Sequence, residues 1–145
     1  MRYFEDLVEG QTEESGPRTV TREEILAFAS QYDPQYFHAD EEAARRSVFG
    51  DVVASGIHTM ALWRQLDHQI AHDIAWICGV AWDDVRFPRA VRPGDTLRAR
   101  SRCLSKRDST SDPRRGIAVF EYTLLNQHDE IVFTCRSTNL VERRG

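Results

Sequence analysis

The sequence is poor in cysteine, has no long apolar run and shows no strong excess of either charge sign. Its three cysteines, Cys78, Cys103 and Cys135, are widely spaced and form no CxxC pair or Cys/His cluster. A disulfide framework and a structural zinc site are therefore not expected, and a reducing cytoplasm is the expected location. Every apolar run is far shorter than the roughly 20 residues of a membrane-spanning helix. The mixed, acidic start MRYFEDLVEG also lacks the basic and apolar segments of a signal peptide.

The overall composition predicts a globular protein without a nucleic-acid or membrane partner. The formal net charge of −4 provides no broad attraction for nucleic acids or anionic membranes. Hydrophobic residues make up 41% and charged residues 29% of the chain, which is typical of a folded protein rather than a disordered one. The 145 residues contain no repeat, low-complexity tract or linker. We therefore predict one domain over residues 1–145 with one core.

The first half of the chain predicts short helices behind a polar segment at residues 10–20. Thr21 is a good N-cap, and Glu24 stands where a capping box places its acidic residue. Pro34 disfavours helical backbone in the residue before it, so this helix should end at about Tyr32 and be followed by a loop. Asp40 is positioned to cap a second short helix over residues 41–45.

A long buried helix and a set of strands follow. The helix is predicted over residues 56–72, with an apolar stripe at Met60, Trp63, Leu66 and Ile70, widened by Ala61 and Leu62. The β-rich segments are residues 80–87, 96–104, 117–125 and 131–141, with turns at 92–95 and 126–129.

This order of elements predicts the α+β class. One curved antiparallel sheet of about four strands, wrapped round a long central helix, would bury the apolar faces of both. Such a sheet leaves an edge strand exposed, and pairing of two protomers is the usual remedy. The sequence therefore predicts a homodimer or a larger assembly built from dimers.

The stretch YDPQYFHAD contains the first candidate for chemistry, because it places Asp33 and His38 five residues apart. A carboxylate beside an imidazole can hold one water molecule, and one group can take its proton while the other supplies a proton elsewhere. The alternative is structural. Asp33 can cap backbone amides in a turn, and His38 can be a packed histidine with no chemical role.

Metal binding is a second interpretation of the histidines. His38 and Asp40 could both ligate a metal only from an extended segment, whereas His68 and His72 have the i, i+4 spacing that suits zinc on a helix. The segment HQIAH, however, has Gln69 where the HEXXH motif has its glutamate. We therefore interpret this pair as a solvated helix face and predict no metal site.

Ser55 and Gly56 form the second candidate for chemistry. A glycine at the start of a buried helix lets a ligand approach the backbone, and its N–H and the helix dipole can polarise a carbonyl oxygen. The alternative is that Gly56 only permits a tight turn. Ser55 is not in a GxSxG motif and is more simply an N-cap or a polar neighbour.

Several separated segments, taken together, resemble the MaoC-like dehydratase/hydratase family of hotdog-fold proteins. They are YFEDLVEG, the run from TREEILAFASQYDPQYFHAD to VVASGIHTMALW, VRFPRAVRPGDTLRARS and RGIAVFEYTLLNQHDEIVFTC. The resemblance covers nearly the whole chain, and its matches occur in the right order. It implies a hotdog domain whose sheet wraps a helix from about Gly56 to His72. It also implies a homodimer that binds acyl thioesters near its interface.

The resemblance further implies roles for individual residues. Asp33 and His38 would activate water for attack at C3 of a trans-2-enoyl thioester, and the Gly56 N–H would stabilise the oxyanion on the thioester oxygen. The remaining residues expected at the substrate are Ser55, Phe37, Trp63 and Arg92. No metal or redox cofactor is implied, and coenzyme A enters as part of the acyl-CoA substrate.

The chain also departs from the family pattern. Where the family motif reads Asp-x-Asn-Pro-Ile/Leu-His, this chain has Gln35 in the asparagine place, Tyr36 in the proline place and a proline at position 34. Ser55 replaces a histidine before the central helix, and bulky Trp63 and Arg64 stand where some members carry small or hydroxyl residues. These changes leave the water-binding pair intact and point to a branched, short or otherwise non-standard acyl group as readily as to a straight chain.

Two other functions fit a hotdog chain of this kind. A thioesterase would direct water to the thioester carbonyl and release free thiol. A non-catalytic acyl-CoA-binding module would be unaffected by loss of the Asp/His pair. In each case cationic side chains are expected near the phosphates of coenzyme A, and the candidates are Arg89, Arg92, Arg114 and Arg115.

Overall fold

The computed structural model describes residues 1–145 as five short or medium helical segments and six strands. A 3-10 turn at Phe4–Asp6 comes first. The strands are β1 (Thr12–Glu14), β2 (Arg18–Thr19), β3 (Trp76–Arg86), β4 (Thr96–Asp108), β5 (Arg115–Leu125) and β6 (Ile131–Glu142). The helices are α1 (Arg22–Tyr32), α2 (Tyr36–Ala39), α3 (Glu41–Arg45) and α4 (Gly56–Ala71). None of these helices combines the length and the apolar character needed to cross a membrane.

The strands form one antiparallel six-stranded sheet in the order β1-β4-β5-β6-β3, with β2 paired to the start of β4. This confirms the α+β class and the antiparallel sheet. The prediction of about four strands was too low, because the polar segment at residues 10–20 supplies β1 and β2. Both are two or three residues long and have no apolar alternation. Their hydrogen bonds depend on β4, so residues within the segment could not reveal them.

The sheet curves round α4, as the sequence predicts. Leu62, Trp63 and Leu66 are buried in one cluster with apolar residues from the inner face of the sheet. Of the rest of the predicted stripe, Met60 is partly buried and packs against this cluster, Ile70 is partly buried, and Ala61 is exposed, so the prediction was wrong for Ala61. The buried face of α4 also includes the polar residues His58, Thr59 and Asp67. A pattern based on apolar residues alone does not find these positions.

The helices before α4 differ from the prediction in one respect. Helix α1 begins after Thr21 with the expected capping box, in which the Thr21 hydroxyl accepts the Glu24 N–H at 3.2 Å and the Glu24 carboxylate accepts the Thr21 N–H at 2.7 Å. It ends at Tyr32, also as expected. The following segment, however, is not simply a loop, because Tyr36–Ala39 forms one helical turn. This turn sets the direction in which the His38 side chain points.

Strand β3 lies at one edge of the sheet and is exposed along almost its whole length. It pairs only with β6, so its other edge has no strand beside it. Several large apolar side chains of this segment are exposed: Ile77, Val80, Trp82, Val85 and, just after the strand, Phe87. The predicted exposed edge strand is therefore present.

Candidate active site

The site begins where α1 ends. Asp33 is the C-cap of α1, and its N–H donates to the Ala29 carbonyl at 2.9 Å. Pro34 prevents the helix from continuing, and this directs the chain into α2. The structural alternative expected the Asp33 side chain to cap backbone amides, but only the Asp33 backbone takes part in the turn. Its carboxylate accepts no hydrogen bond from a backbone amide, which leaves that side chain free for another role.

His38 is buried, and its ring has a defined orientation. Nδ1 lies 2.6 Å from the carbonyl oxygen of Val53. Because a carbonyl can only accept, Nδ1 must carry the proton of this hydrogen bond. In the neutral ring, Nε2 then has a free lone pair and can act as a base. Phe37 packs edge-on against the ring at 4.4 Å between centroids and further restricts its rotation.

The basic nitrogen of His38 faces Asp33. Nε2 and the Asp33 Oδ2 are 4.0 Å apart. This separation is too long for a direct hydrogen bond, but an oxygen atom can lie within about 2.8 Å of both groups. Both would accept a hydrogen bond, so a molecule with two O–H bonds satisfies both at once. The geometry therefore suits one water molecule held between the two side chains.

The first turn of α4 provides hydrogen-bond donors at the same site. The Ser55 hydroxyl caps the helix by accepting the His58 N–H at 3.1 Å. The N–H groups of Gly56 and Ile57 have no acceptor within the protein. These free donors lie at the positive end of the helix dipole, where they favour a partly negative oxygen.

Glycine at position 56 has a steric reason. A Cβ atom there would lie 3.1 Å from Cζ of Phe87, closer than nearly all such contacts. His58, one turn into the helix, is buried and stacks on Phe28 with centroids 4.5 Å apart. Burial lowers the pKa of His58, which favours the neutral form of this imidazole. The helix terminus is therefore shaped by packing as well as by its free N–H groups.

His38 and Gly56 line one cavity of about 260 Å³. Its wall is mainly apolar and includes Phe49 and Phe87, with Thr59 and Arg89 among its few polar members. Asp33 is not part of this wall, and its Oδ2 lies 4.0 Å from Nε2 of His38. The structure thus brings together three of the residues that the sequence singled out for catalysis, two in the cavity and one beside it.

The residues predicted to contact substrate lie in different surroundings, and not all of them reach the cavity. Ser55 is buried beneath the first turn of α4, and Phe37 packs between His38 and Phe49 without reaching the cavity wall. Trp63 is fully buried in the core, where it contacts Trp82 and other aromatic rings. A large apolar residue on a helix is compatible with core packing or with substrate contact. For Trp63 the structure shows core packing.

The arginine candidates divide into two groups. Arg89 and Arg92 line a second cavity of about 560 Å³, which adjoins the first through Phe49, Arg89 and Ala90. The Arg92 guanidinium donates to the Phe49 carbonyl at 2.9 Å. Arg114 and Arg115 lie in and after the loop between β4 and β5, at the far end of β4 from this cavity. Those two side chains therefore do not join the group at the site.

Two contributors to the site were not selected from the sequence. The Val53 carbonyl orients His38, and a backbone group leaves no signal in residue type. Thr59 lines the cavity one turn after Gly56. The i, i+3 spacing from that glycine could have found Thr59, because such positions share a helix face.

The remaining histidine pair forms no metal-ligand set. His68 and His72 have ring centroids 6.3 Å apart, and the His72 Nδ1 hydrogen-bonds the His68 carbonyl at 3.2 Å. No group of three or more histidine, cysteine, aspartate or glutamate side chains is arranged to hold a metal ion.

Sequence comparison identifies relatives of known activity. The family model described as "MaoC like domain" matches residues 4–121. The chain is 34% identical over 117 residues to 3-hydroxyacyl-thioester dehydratase Z of Mycobacterium tuberculosis, a match that covers 74% of this chain and 78% of that protein.

Comparison with solved structures agrees with the sequence matches. A MaoC-like dehydratase from Rhodospirillum rubrum superposes with a TM-score of 0.91 at 37% identity, covering 99% of this chain and 98% of that one. A conserved Mycobacterium tuberculosis protein with a double hotdog fold superposes with a TM-score of 0.84 at 18% identity, covering 98% of this chain and 44% of that one. The second match concerns the fold alone. The chain belongs to the MaoC-like hydratase/dehydratase family, and its single α+β domain is a hotdog.

Proposed function

We propose that the protein catalyses the reversible addition of water to a trans-2-enoyl thioester, as a hydro-lyase of the enoyl-CoA hydratase or 3-hydroxyacyl-CoA dehydratase type. The observation that carries this proposal is the 4.0 Å pair of His38 Nε2 and Asp33 Oδ2 beside the free N–H of Gly56. His38 and Gly56 line the same cavity, which supports a water position and an oxyanion position within one site. The similarity to a 3-hydroxyacyl-thioester dehydratase supports the same reaction.

The proposed hydration follows from these positions. Asp33 and His38 hold the water through its two O–H bonds, and the pair takes one proton as the water oxygen bonds to C3. The C2–C3 π electrons move toward the thioester, and the Gly56 N–H donates to the oxygen on which negative charge develops. The pair then returns a proton to C2, so that one water molecule is added and the enzyme is unchanged.

Coenzyme A is the proposed carrier of the acyl group. Arg89 and Arg92 lie in the cavity that adjoins the catalytic one, where guanidinium groups can contact phosphate oxygens. Arg89 is also paired with Glu130 at 3.1 Å, so a phosphate would have to compete with this carboxylate. No metal or redox cofactor is required by the proposed reaction, because the thioester itself acidifies C2.

Product analysis with purified protein tests the reaction type. Crotonyl-CoA and trans-2-decenoyl-CoA are tested in parallel. We expect the absorbance of the conjugated enoyl thioester to fall for at least one of them without release of thiol. Appearance of free thiol would instead indicate the thioesterase. Binding of both esters without either change would indicate a non-catalytic acyl-CoA-binding module.

We also propose that β3 pairs with β3 of a second copy to form a homodimer. The exposed edge and the exposed apolar side chains of this strand are what such an interface requires. Light scattering after size exclusion should then give about twice the 16.7 kDa mass of the chain. Val80→Lys should shift the protein toward monomer, because it would place a charge among these apolar residues.

A matched control is available for this experiment. Val48 is 97% exposed in the loop after α3, whereas Val80 is 55% exposed on β3. Val48→Lys adds the same charge away from β3 and should leave the mass unchanged. A monomeric wild-type protein, or equal effects of both substitutions, would exclude β3 as the dimer interface.

A further inference from the structure

A further cavity, which we call the Asp67 cavity, lies between α4 and the sheet next to β3. Its volume is about 260 Å³, and it is lined on the helix side by Arg64 and Asp67 and on the sheet side by Trp82, Tyr122 and Asn139. Several of these side chains can form hydrogen bonds. The mechanism proposed above uses none of them.

Asp67 is the unusual member of this wall. Its side chain is 1% exposed, and one carboxylate oxygen, Oδ2, accepts from the Arg64 guanidinium at 3.0 Å. The other oxygen, Oδ1, is buried and has no hydrogen-bond partner. A buried polar atom without a partner costs free energy, which a bound hydrogen-bond donor would recover. Burial also raises the pKa of Asp67, with the Arg64 charge opposing this shift.

Two other polar side chains of this wall are already paired, and the Tyr122 hydroxyl makes no hydrogen bond to Asp67. Asn139 donates to the Ser137 hydroxyl at 2.7 Å, and the Trp76 indole donates to the Ala71 carbonyl at 2.9 Å. Burial raises the pKa of Tyr122, so its hydroxyl remains protonated. The unmet requirement of this wall is therefore a donor to Asp67.

Aromatic rings line both cavities. Trp82 lines the Asp67 cavity and Phe87 lines the catalytic one, and both rings are about half-exposed. Buried rings connect them from behind: Trp82 contacts Trp63 at 5.1 Å, Trp63 contacts Phe133 at 5.3 Å, and Phe133 contacts Phe87 at 5.4 Å. An alkyl segment can lie along these rings without leaving polar groups unpaired.

The separation of the cavities suits a medium-length chain. Gly56 and Asp67 are eleven residues apart on α4, which corresponds to roughly 16 Å along the helix axis. The Asp67 side chain slants back toward the N-terminus of the helix and shortens this distance by a few ångströms. An extended chain of ten carbons spans about 11 Å, taking about 1.2 Å per bond as in an extended backbone.

We propose that the Asp67 cavity receives the far end of the acyl chain and selects an uncharged hydrogen-bond donor, such as a terminal hydroxyl, over a plain alkyl end. The inference rests on the proposed function, because it assumes that the thioester lies at Gly56. A carboxylate end is disfavoured. The Arg64 guanidinium is already paired with Asp67 and lies over the Trp63 ring at 4.7 Å, so a second carboxylate would be placed beside the first.

Binding of saturated acyl-CoAs tests this preference without relying on catalysis. All three tryptophans of the chain lie in or directly behind the cavity, so intrinsic fluorescence should report its occupancy. The ligands are decanoyl-CoA, 10-hydroxydecanoyl-CoA and decanedioyl-CoA, which share a ten-carbon acyl chain. We expect the hydroxylated ester to bind at least about tenfold more tightly than the other two, because an alkyl end would leave Asp67 unpaired.

Substitutions at Asp67 and at a control position then separate the possible causes. Asp67→Leu should reverse the preference toward decanoyl-CoA, whereas Asp67→Asn keeps an acceptor oxygen and should retain most of it. Asp108→Leu, at a largely exposed aspartate that ends β4 and does not line this cavity, serves as the control and should keep the hydroxyl preference. If Asp67→Leu does not fold, the proposal is still tested by the binding of the three ligands to the wild type and to Asp67→Asn.

Several results would overturn the proposal. These are equal or tighter binding of decanoyl-CoA by the wild type, an unchanged preference in Asp67→Leu, loss of the preference in Asp67→Asn, or tightest binding of decanedioyl-CoA that is lost in Arg64→Gln. Failure of the hydratase proposal is recognised separately. In that case no enoyl-CoA loses its conjugated band, while the binding preference is still measured.

Discussion

Replacing Asp33 with asparagine is expected to lower kcat for enoyl-CoA hydration by a factor of about 10²–10⁴, the usual contribution of a positioned acid–base group. Asparagine keeps the size of the side chain and the C-cap geometry of α1, but it is not a base. His38→Ala should have an effect of similar size, because it removes the other group that holds the water. Kinetic measurements on both variants, with absorbance of the enoyl thioester as the readout, check this prediction.

The two variants should also behave as one unit. If Asp33 and His38 act on the same water, the double variant should be little worse than either single one. Asp40→Asn provides a matched control. Asp40 is another aspartate two residues after His38, and its side chain only caps α3 by accepting the Ala43 N–H at 3.0 Å. Asparagine is an equally good N-cap, so this variant should retain wild-type kcat and stability.

Two results would contradict the proposed roles of Asp33 and His38. Near-normal hydration by Asp33→Asn would remove Asp33 from the reaction and would leave only its backbone role in the turn. An unfolded His38→Ala protein would instead indicate that the contact with the Val53 carbonyl is chiefly structural. Circular dichroism of each variant therefore belongs beside the kinetics.

The second large effect is expected at Trp63, and it concerns stability rather than catalysis. Trp63→Ala should lower the free energy of unfolding by about 3–5 kcal/mol, as truncation of a buried tryptophan commonly does. The ring is fully buried and contacts Trp82, Tyr122 and Phe133. Since small domains are stable by only about 5–15 kcal/mol, this loss should be evident in a denaturant titration.

Trp63→Phe distinguishes packing from a specific role of the indole. The indole N–H of Trp63 is buried without a partner, so phenylalanine removes an unsatisfied donor along with part of the ring. The loss of stability should be clearly smaller than in Trp63→Ala. A stable Trp63→Ala protein with a strongly raised KM would contradict this view and would return Trp63 to the substrate contacts predicted from the sequence.

The sequence predicts local features at the site well, because their causes are local. The capping box at Thr21 and the end of α1 before Pro34 depend on residues within one or two turns of each other. The five-residue spacing of Asp33 and His38 indicated a pair, and Gly56 indicated the start of a buried helix. The fold followed from the order of helices and strands and from the resemblance to MaoC-like proteins.

Only the tertiary structure decided which groups meet. Val53 orients His38 from fifteen residues away, through a carbonyl that every residue type possesses. Trp63 and Asp67 lie on the same helix, yet their surroundings come from distant strands. Those strands place Trp63 in the core and leave one oxygen of Asp67 without a partner. The sequence by itself determined the longer helices and strands and the catalytic candidates, whereas β1, β2 and the hydrogen bonds and burial that give each side chain its role depend on contacts between segments far apart in the chain.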